Sequence, residues 1–111
     1  MNFHFYRFIL YVIKIDFIKI DVQGYEPKVF QGMQNTIKFS KNLTILTEFW
    51  PKGIVQAGSS PTEFLRSLRE MKLKLFELKK NGSLVTLSQN RDSEFIKRFS
   101  GRKYTNIVCK K

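Results

Sequence analysis

Two carboxylates in this sequence stand where carboxylates can do chemistry. Asp21 closes the short apolar run Phe17–Ile20, and Glu48 falls near the end of a second run, Leu43–Phe49. A carboxylate at the C-terminal end of a strand, just ahead of a crossover helix, lies where open α/β sheets bind ligands. Glu48 interrupts a strand that is otherwise nearly continuous in apolar character, so it is either functional or paired. If strand, helix and strand form a right-handed crossover, both carboxylates come to the same edge of neighbouring strands. The structural alternative for Asp21 is a bond to the backbone of its own turn. Near them stand Gln23, Gly24, Glu26 and Trp50. A glutamine cannot accept a proton as a general base. Glu26 precedes Pro27, which suits the first helical position, so its carboxylate is expected to cap that helix. Trp50 is read as a core-edge anchor ahead of a pocket wall. His4, the one histidine, is read as structural. No set of residues has the spacing of a metal site.

The elements that must hold these residues follow from periodicity. Phe17–Ile20 is β-branched and aromatic, which favours a strand. Gly24 can supply the positive φ of a tight strand-to-helix turn. A helix is expected from about Pro27 to Phe39, with Val29, Phe30, Met33 and Ile37 on its apolar face and Gly32 explained by close packing on the sheet. Leu43–Phe49 reads as a parallel strand covered on both faces. Pro51–Ser59 reads as a loop from its glycines and proline. Ser60-Pro61-Thr62-Glu63 has the form of a capping box and opens a helix to about Lys72. Leu73–Leu78 is a strand, Asn81-Gly82 a turn, and Leu84–Leu87 a short return strand. Asp92 is expected to cap a short helix through Phe99, and Tyr104–Cys109 to form the last strand. The order is that of the back half of a doubly wound α/β sheet.

Bulk properties set outer limits. The chain has 111 residues, 20 Lys+Arg against 9 Asp+Glu, and a net charge of +11. Such an excess is compatible with nucleic acid, an anionic surface or anionic substrates. The lysines are spread along the chain, which favours a solvated basic surface over a nucleic-acid interface. A small basic binding module for nucleic acid or acidic surfaces is the alternative on charge alone. The single Cys109 excludes an internal disulfide and suits a cytoplasmic location. In the opening segment Arg7 and Lys14 bracket an apolar run, FILYVI, of only six residues. That is far short of the ~20 a membrane span needs, and no cleavage-site pattern follows it. No targeting segment and no membrane partner are expected.

The stretch Phe17-Ile18-Lys19-Ile20-Asp21-Val22-Gln23-Gly24-Tyr25-Glu26 resembles the I-K-I-D-V-E-G-x-E signature of FkbM-type methyltransferases. The resemblance runs on through the Glu48 and Trp50 region to the end of the chain, covering roughly its last nine-tenths. It implies a partial Rossmann-like class I methyltransferase fold, with a mostly parallel sheet and an antiparallel last strand. It implies an S-adenosylmethionine-dependent O-methyltransferase acting on a hydroxyl of a sugar or natural product. On this resemblance Asp21 lines the pocket near the transferable methyl and contacts the cofactor. Asp21 and Glu48 are then candidates to orient or deprotonate the hydroxyl, with Gln23, Gly24, Glu26 and Trp50 around the pocket. The family usually carries glutamate where this chain has Gln23.

The resemblance covers the second half of such a domain. A nucleotide-type cofactor site uses a glycine-rich turn after its first strand, and no G-x-G occurs in this sequence. The expected organisation is an unmatched apolar segment, 1–15, followed by the C-terminal half of an FkbM-like domain, 16–111. Such a chain is expected to be a fragment, inactive alone, or a subunit completed by a second chain. Phe17–Ile20 would then be an apolar sheet edge. The FILYVI run is a candidate to fold back and cover it.

Overall fold

The computed structural model describes the backbone of residues 4–9 and 15–111, and side chains from residue 17 onward. Six strands form one sheet: β1 (His4–Ile9), β2 (Ile15–Asp21), β3 (Asn42–Phe49), β4 (Lys74–Leu78), β5 (Leu84–Thr86) and β6 (Thr105–Lys110). Their spatial order is β1-β2-β3-β6-β4-β5. The helices are α1 (Glu26–Gly32), α2 (Gln34–Phe39), α3 (Pro51–Gln56), α4 (Pro61–Glu70) and α5 (Asp92–Lys97). The architecture is mixed α/β.

β2 and β3 pair in parallel, joined by α1 and α2, with Ile20 opposite Thr47. β6 enters antiparallel between β3 and β4. β2, β3 and β4 therefore share one direction, and their C-terminal ends lie along one rim. The expectation of a mostly parallel sheet holds for these three directions but not for the pairing. Because β6 separates β3 from β4, and β1 and β5 are also antiparallel to their neighbours, β2–β3 is the one parallel pair among the described residues. β2 is not an edge: β1 covers it. Of the FILYVI run only Phe8 and Ile9 fall within β1, and residues 10–14 lie outside the described residues.

One face of the sheet carries the core. Ile18, Ile20, Leu43, Ile45, Phe49, Leu75, Ile107 and Cys109 alternate along their strands and meet Phe30, Ile37, Ile54, Phe64, Leu65, Leu68 and Phe95 of the helices. Strand periodicity of two and helical periodicity of 3.6 supply these facing rows. The other face is only partly covered. β3 alternates buried and half-buried residues, with Thr44, Leu46 and Glu48 on the half-buried side. This corrects the expectation of a strand covered on both faces. Among the described residues, every helix packs on the first face.

Three further expectations are corrected. The single helix over Pro27–Phe39 is two, broken at Met33, whose N–H bonds back to the Phe30 carbonyl. Gly32 ends α1, and a side chain there would meet nothing, so close packing does not explain it. The stretch expected as a loop after Pro51 opens with helix α3, because Pro51 takes the first helical position after an extended Trp50. Its Gly53 is a packing glycine, since a Cβ there would collide with the Trp50 ring. No helix among the described residues is long and apolar enough to cross a membrane.

Candidate active site

The rim at the ends of β2 and β3 is built by a turn that glutamate ties from within. After Asp21 the chain turns through Gln23 and Gly24, both at positive φ, 52° and 102°. Gly24 is required there twice over. Its conformation is one that side chains rarely adopt, and a Cβ would collide with the backbone carbonyl of Gly53. Glu26, completely buried, reaches back and accepts hydrogen bonds from the Val22 N–H (3.0 Å) and the Gly24 N–H (2.8 Å). Glu26 therefore does not cap its own helix, as the sequence suggested. It satisfies two buried donors of the turn ahead of that helix. Two of the turn's donors therefore go to Glu26, and among the described residues no hydrogen bond ties the Asp21 carboxylate to its own turn.

Asp21 is left available. Its Oδ1 is buried and has no hydrogen-bond partner among the described residues. The parallel register that sets Ile20 opposite Thr47 brings Asp21 level with Glu48. Carboxylate oxygens of Asp21, Glu26 and Glu48 lie within 4.8 Å of one another. The crossover thus brings Asp21 and Glu48 together at one rim. Burial, first, and the Asp21 carboxylate beside it, second, push the Glu48 pKa up from 4.5 to about 8, with Glu26 adding to the rise. Glu26 is also raised, mainly by burial and against the pull of its backbone donors. The separations would admit one cation. Both Glu26 oxygens are already committed to backbone N–H groups, however, and a proton held between Asp21 and Glu48 relieves the same repulsion.

The remaining sequence candidates fall outside this cluster. Gln23 sits in the turn with its side chain exposed, and Gly24 packs against α3. Trp50 is half-buried, not in the core. Its ring lies over Gly53, and its indole N–H donates to the Gly101 carbonyl (2.9 Å). His4 is the Cα partner of Asp21 across β1 and β2, and its side chain lies outside the described residues. Sequence reasoning missed Asn106, the Cα partner of both Glu48 and Leu78, which extends the rim along β6. A lone asparagine entering a terminal strand gives no signal that could have found it.

The fold is mixed α/β, and its paired carboxylates stand at the C-terminal ends of neighbouring parallel strands, where open α/β sheets bind ligands. The model of the Methyltransferase FkbM domain matches residues 4–82, most of the chain. The chain therefore belongs to the FkbM methyltransferase family. The match begins within the segment the sequence left unassigned and ends at the β4–β5 turn, short of α5 and β6. No curated protein and no solved structure matches the chain significantly.

Proposed function

We propose that this chain supplies the substrate-side wall of an S-adenosylmethionine-dependent O-methyltransferase, with Asp21 and Glu48 acting on the hydroxyl of a sugar or natural product. The observation that carries this is the meeting of those two carboxylates, one with an unpartnered oxygen, at the rim where such sheets bind ligands. In this proposal the fold is the back half of a Rossmann-like class I domain, supported by the β2–β3 crossover and the antiparallel β6. Residues 16–111 form that half, and a second body covers the open sheet face and brings the glycine-rich turn. Phe17, Leu46 and Phe76, half-buried and outside the core cluster, are the apolar surface it would cover.

The fit to the cofactor is confined to one end. The acidic rim suits a cationic sulfonium, whereas no glycine-rich turn in this chain receives a nucleoside. S-adenosylmethionine supplies an electrophilic methyl group when bound. The chain's own residues hold the acceptor hydroxyl and take its proton. With a pKa near 8, Glu48 is matched to proton transfer close to neutral pH. Asp21 accepts a hydrogen bond from the hydroxyl and fixes its direction, so that most of the gain comes from positioning.

Calorimetry with S-adenosylmethionine and methyl transfer to a panel of sugar hydroxyls test this together. The chain alone is expected to give no binding in the low micromolar range, about −8 kcal/mol. A dissociation constant there would refute the half-domain assignment. Supplied with a glycine-rich half in trans, it should transfer methyl groups, and Asp21→Asn should lower kcat by about 100-fold or more. Unchanged transfer in Asp21→Asn would remove Asp21 from the site.

A further inference from the structure

The same rim continues, past Asn106, into a cavity of opposite charge. Leu78, Lys79, Lys80, Arg98 and the 102–106 segment line an open groove of about 690 Å³, with Lys80, Arg102 and Lys103 exposed at its mouth. Five lining residues are cationic and none is acidic. Arg98 and Lys79 are neutralised from the side by Glu77, at 2.7 and 3.2 Å. Among the described residues, no carboxylate pairs with Lys80, Arg102 or Lys103. The loop carrying the last two is held in place. Gly101 takes a positive φ of 62°, its carbonyl accepts the Trp50 indole N–H, and the Lys103 N–H closes a turn on the Ser100 carbonyl. Trp50, which follows Glu48 by two residues, thereby ties the basic loop to the acidic rim. Tyr104 stands beside them, 60% exposed.

We propose that this cavity is the specificity site for an acidic substrate: a sugar-sized hydroxyl compound whose phosphate or carboxylate is held by Arg102, Lys103 and Lys80. This rests on the hydroxyl-methylating assignment above and names its substrate class. A guanidinium fork grips either anion bidentately, and lysine adds charge at short range. Asn106 lines the cavity and is the Cα partner of Glu48, one strand spacing of about 4.8 Å away. A substrate whose anion sits at Arg102 would extend along the rim past Asn106 toward Glu48 on the next strand and Asp21 on the one beyond. A polyanion fits worse, because a chain of phosphates continuing past Asn106 would meet three carboxylates. The cavity residues from Arg98 onward lie beyond the family match.

Backbone-amide NMR titration of the whole chain tests this with glucose 6-phosphate, glucuronate and glucose as probes. Glucose 6-phosphate should shift the amides of Arg102 to Asn106 saturably, and Arg102→Ala with Lys103→Ala should weaken that binding by at least about tenfold. Glucose should leave the same amides unmoved. A stronger response to glucose 6-phosphate than to glucuronate assigns a phosphate, and the reverse assigns a carboxylate. Saturation by neither acid, or binding undiminished in the double variant, would overturn the proposal. So would a single-stranded oligonucleotide binding these amides more tightly than either sugar acid, with a steep salt dependence. The titration needs no methyl donor. Loss of the methyltransferase assignment would not produce a negative result here, and a negative result here would leave that assignment standing.

Discussion

Replacing Glu48 by glutamine should make the protein more stable at alkaline pH and flatten its pH dependence. Glu48 titrates near 8 in the folded chain against an ordinary 4.5. Between those values the folded state holds a proton that the unfolded state has released. Stability from this group is therefore fully present below about pH 4.5 and is lost as pH rises through about 8. At about 1.4 kcal/mol per tenfold change, the full rise would bound the effect near 5 kcal/mol. Glu48 is only half-buried and solvent screens it, so about 1–2 kcal/mol is the expected size. Glutamine keeps the shape and carries no charge. Urea unfolding at intervals from pH 5 to pH 9 is the assay. The unaltered chain should lose stability steadily across that range. Glu48→Gln should fall less steeply, keeping a residual slope from Glu26, and should be the more stable protein at pH 8.5. Parallel profiles would show that Glu48 is not strained by burial and Asp21, and would remove the basis for its role as a base near neutrality.

Three other substitutions probe the frame of the site. Glu26→Ala strands the buried Val22 and Gly24 donors and should cost about 2–4 kcal/mol in denaturant unfolding. Gly24→Ala must adopt a φ of 102° and push against Gly53, and should cost at least about 2 kcal/mol by the same measurement. Ser60 caps α4 by accepting the Glu63 N–H at 3.2 Å, so Ser60→Ala should cost about 0.5–2 kcal/mol. Thermal unfolding with no loss in Ser60→Ala would show that the cap contributes nothing.

What the sequence made legible was local in origin. The strand before Asp21, the positive φ at Gly24 and the Ser60 cap follow from residue types a few positions apart, and each is in the structure. The capping box is only half formed, because Glu63 turns to Arg66 instead of reaching back to Ser60. Contacts between distant residues were not legible. Asp92 does not cap its helix; it binds Arg69 bidentately, at 2.6 and 2.8 Å, from 23 residues away. Arg69 also donates to the Leu87 carbonyl, so the pair pins α4 to the segment after β5. Nothing in the spacing of Arg69 and Asp92 marks them as partners. Gly53 misled for a similar reason. Glycine beside proline suggests a loop, but here it makes room for a tryptophan ring.

The acidic rim is not what the charge of this chain would produce by default. There are 9 acidic residues against 20 basic ones. Placed for stability alone, they would sit among lysines and arginines, as Asp92 does with Arg69 and Glu77 with Arg98. Three of them instead meet within 4.8 Å. For Glu26 the turn supplies a structural reason, two backbone donors that need an acceptor. Among the described residues no backbone donor gives Asp21 and Glu48 such a reason: Asp21 Oδ1 has no partner there, and burial and the neighbouring carboxylates raise the Glu48 pKa. A fold that sets two carboxylates so close at one sheet rim that one of them holds its proton to about pH 8 gives up stability there, which is the pattern expected of a functional site. Gln23 bears on the same point. The glutamate usual at that position in the family is absent here, yet the residue at position 23 is exposed in the turn and outside the cluster. In the proposed function the proton is taken by Asp21 and Glu48, and a glutamine at position 23 removes no member of that pair.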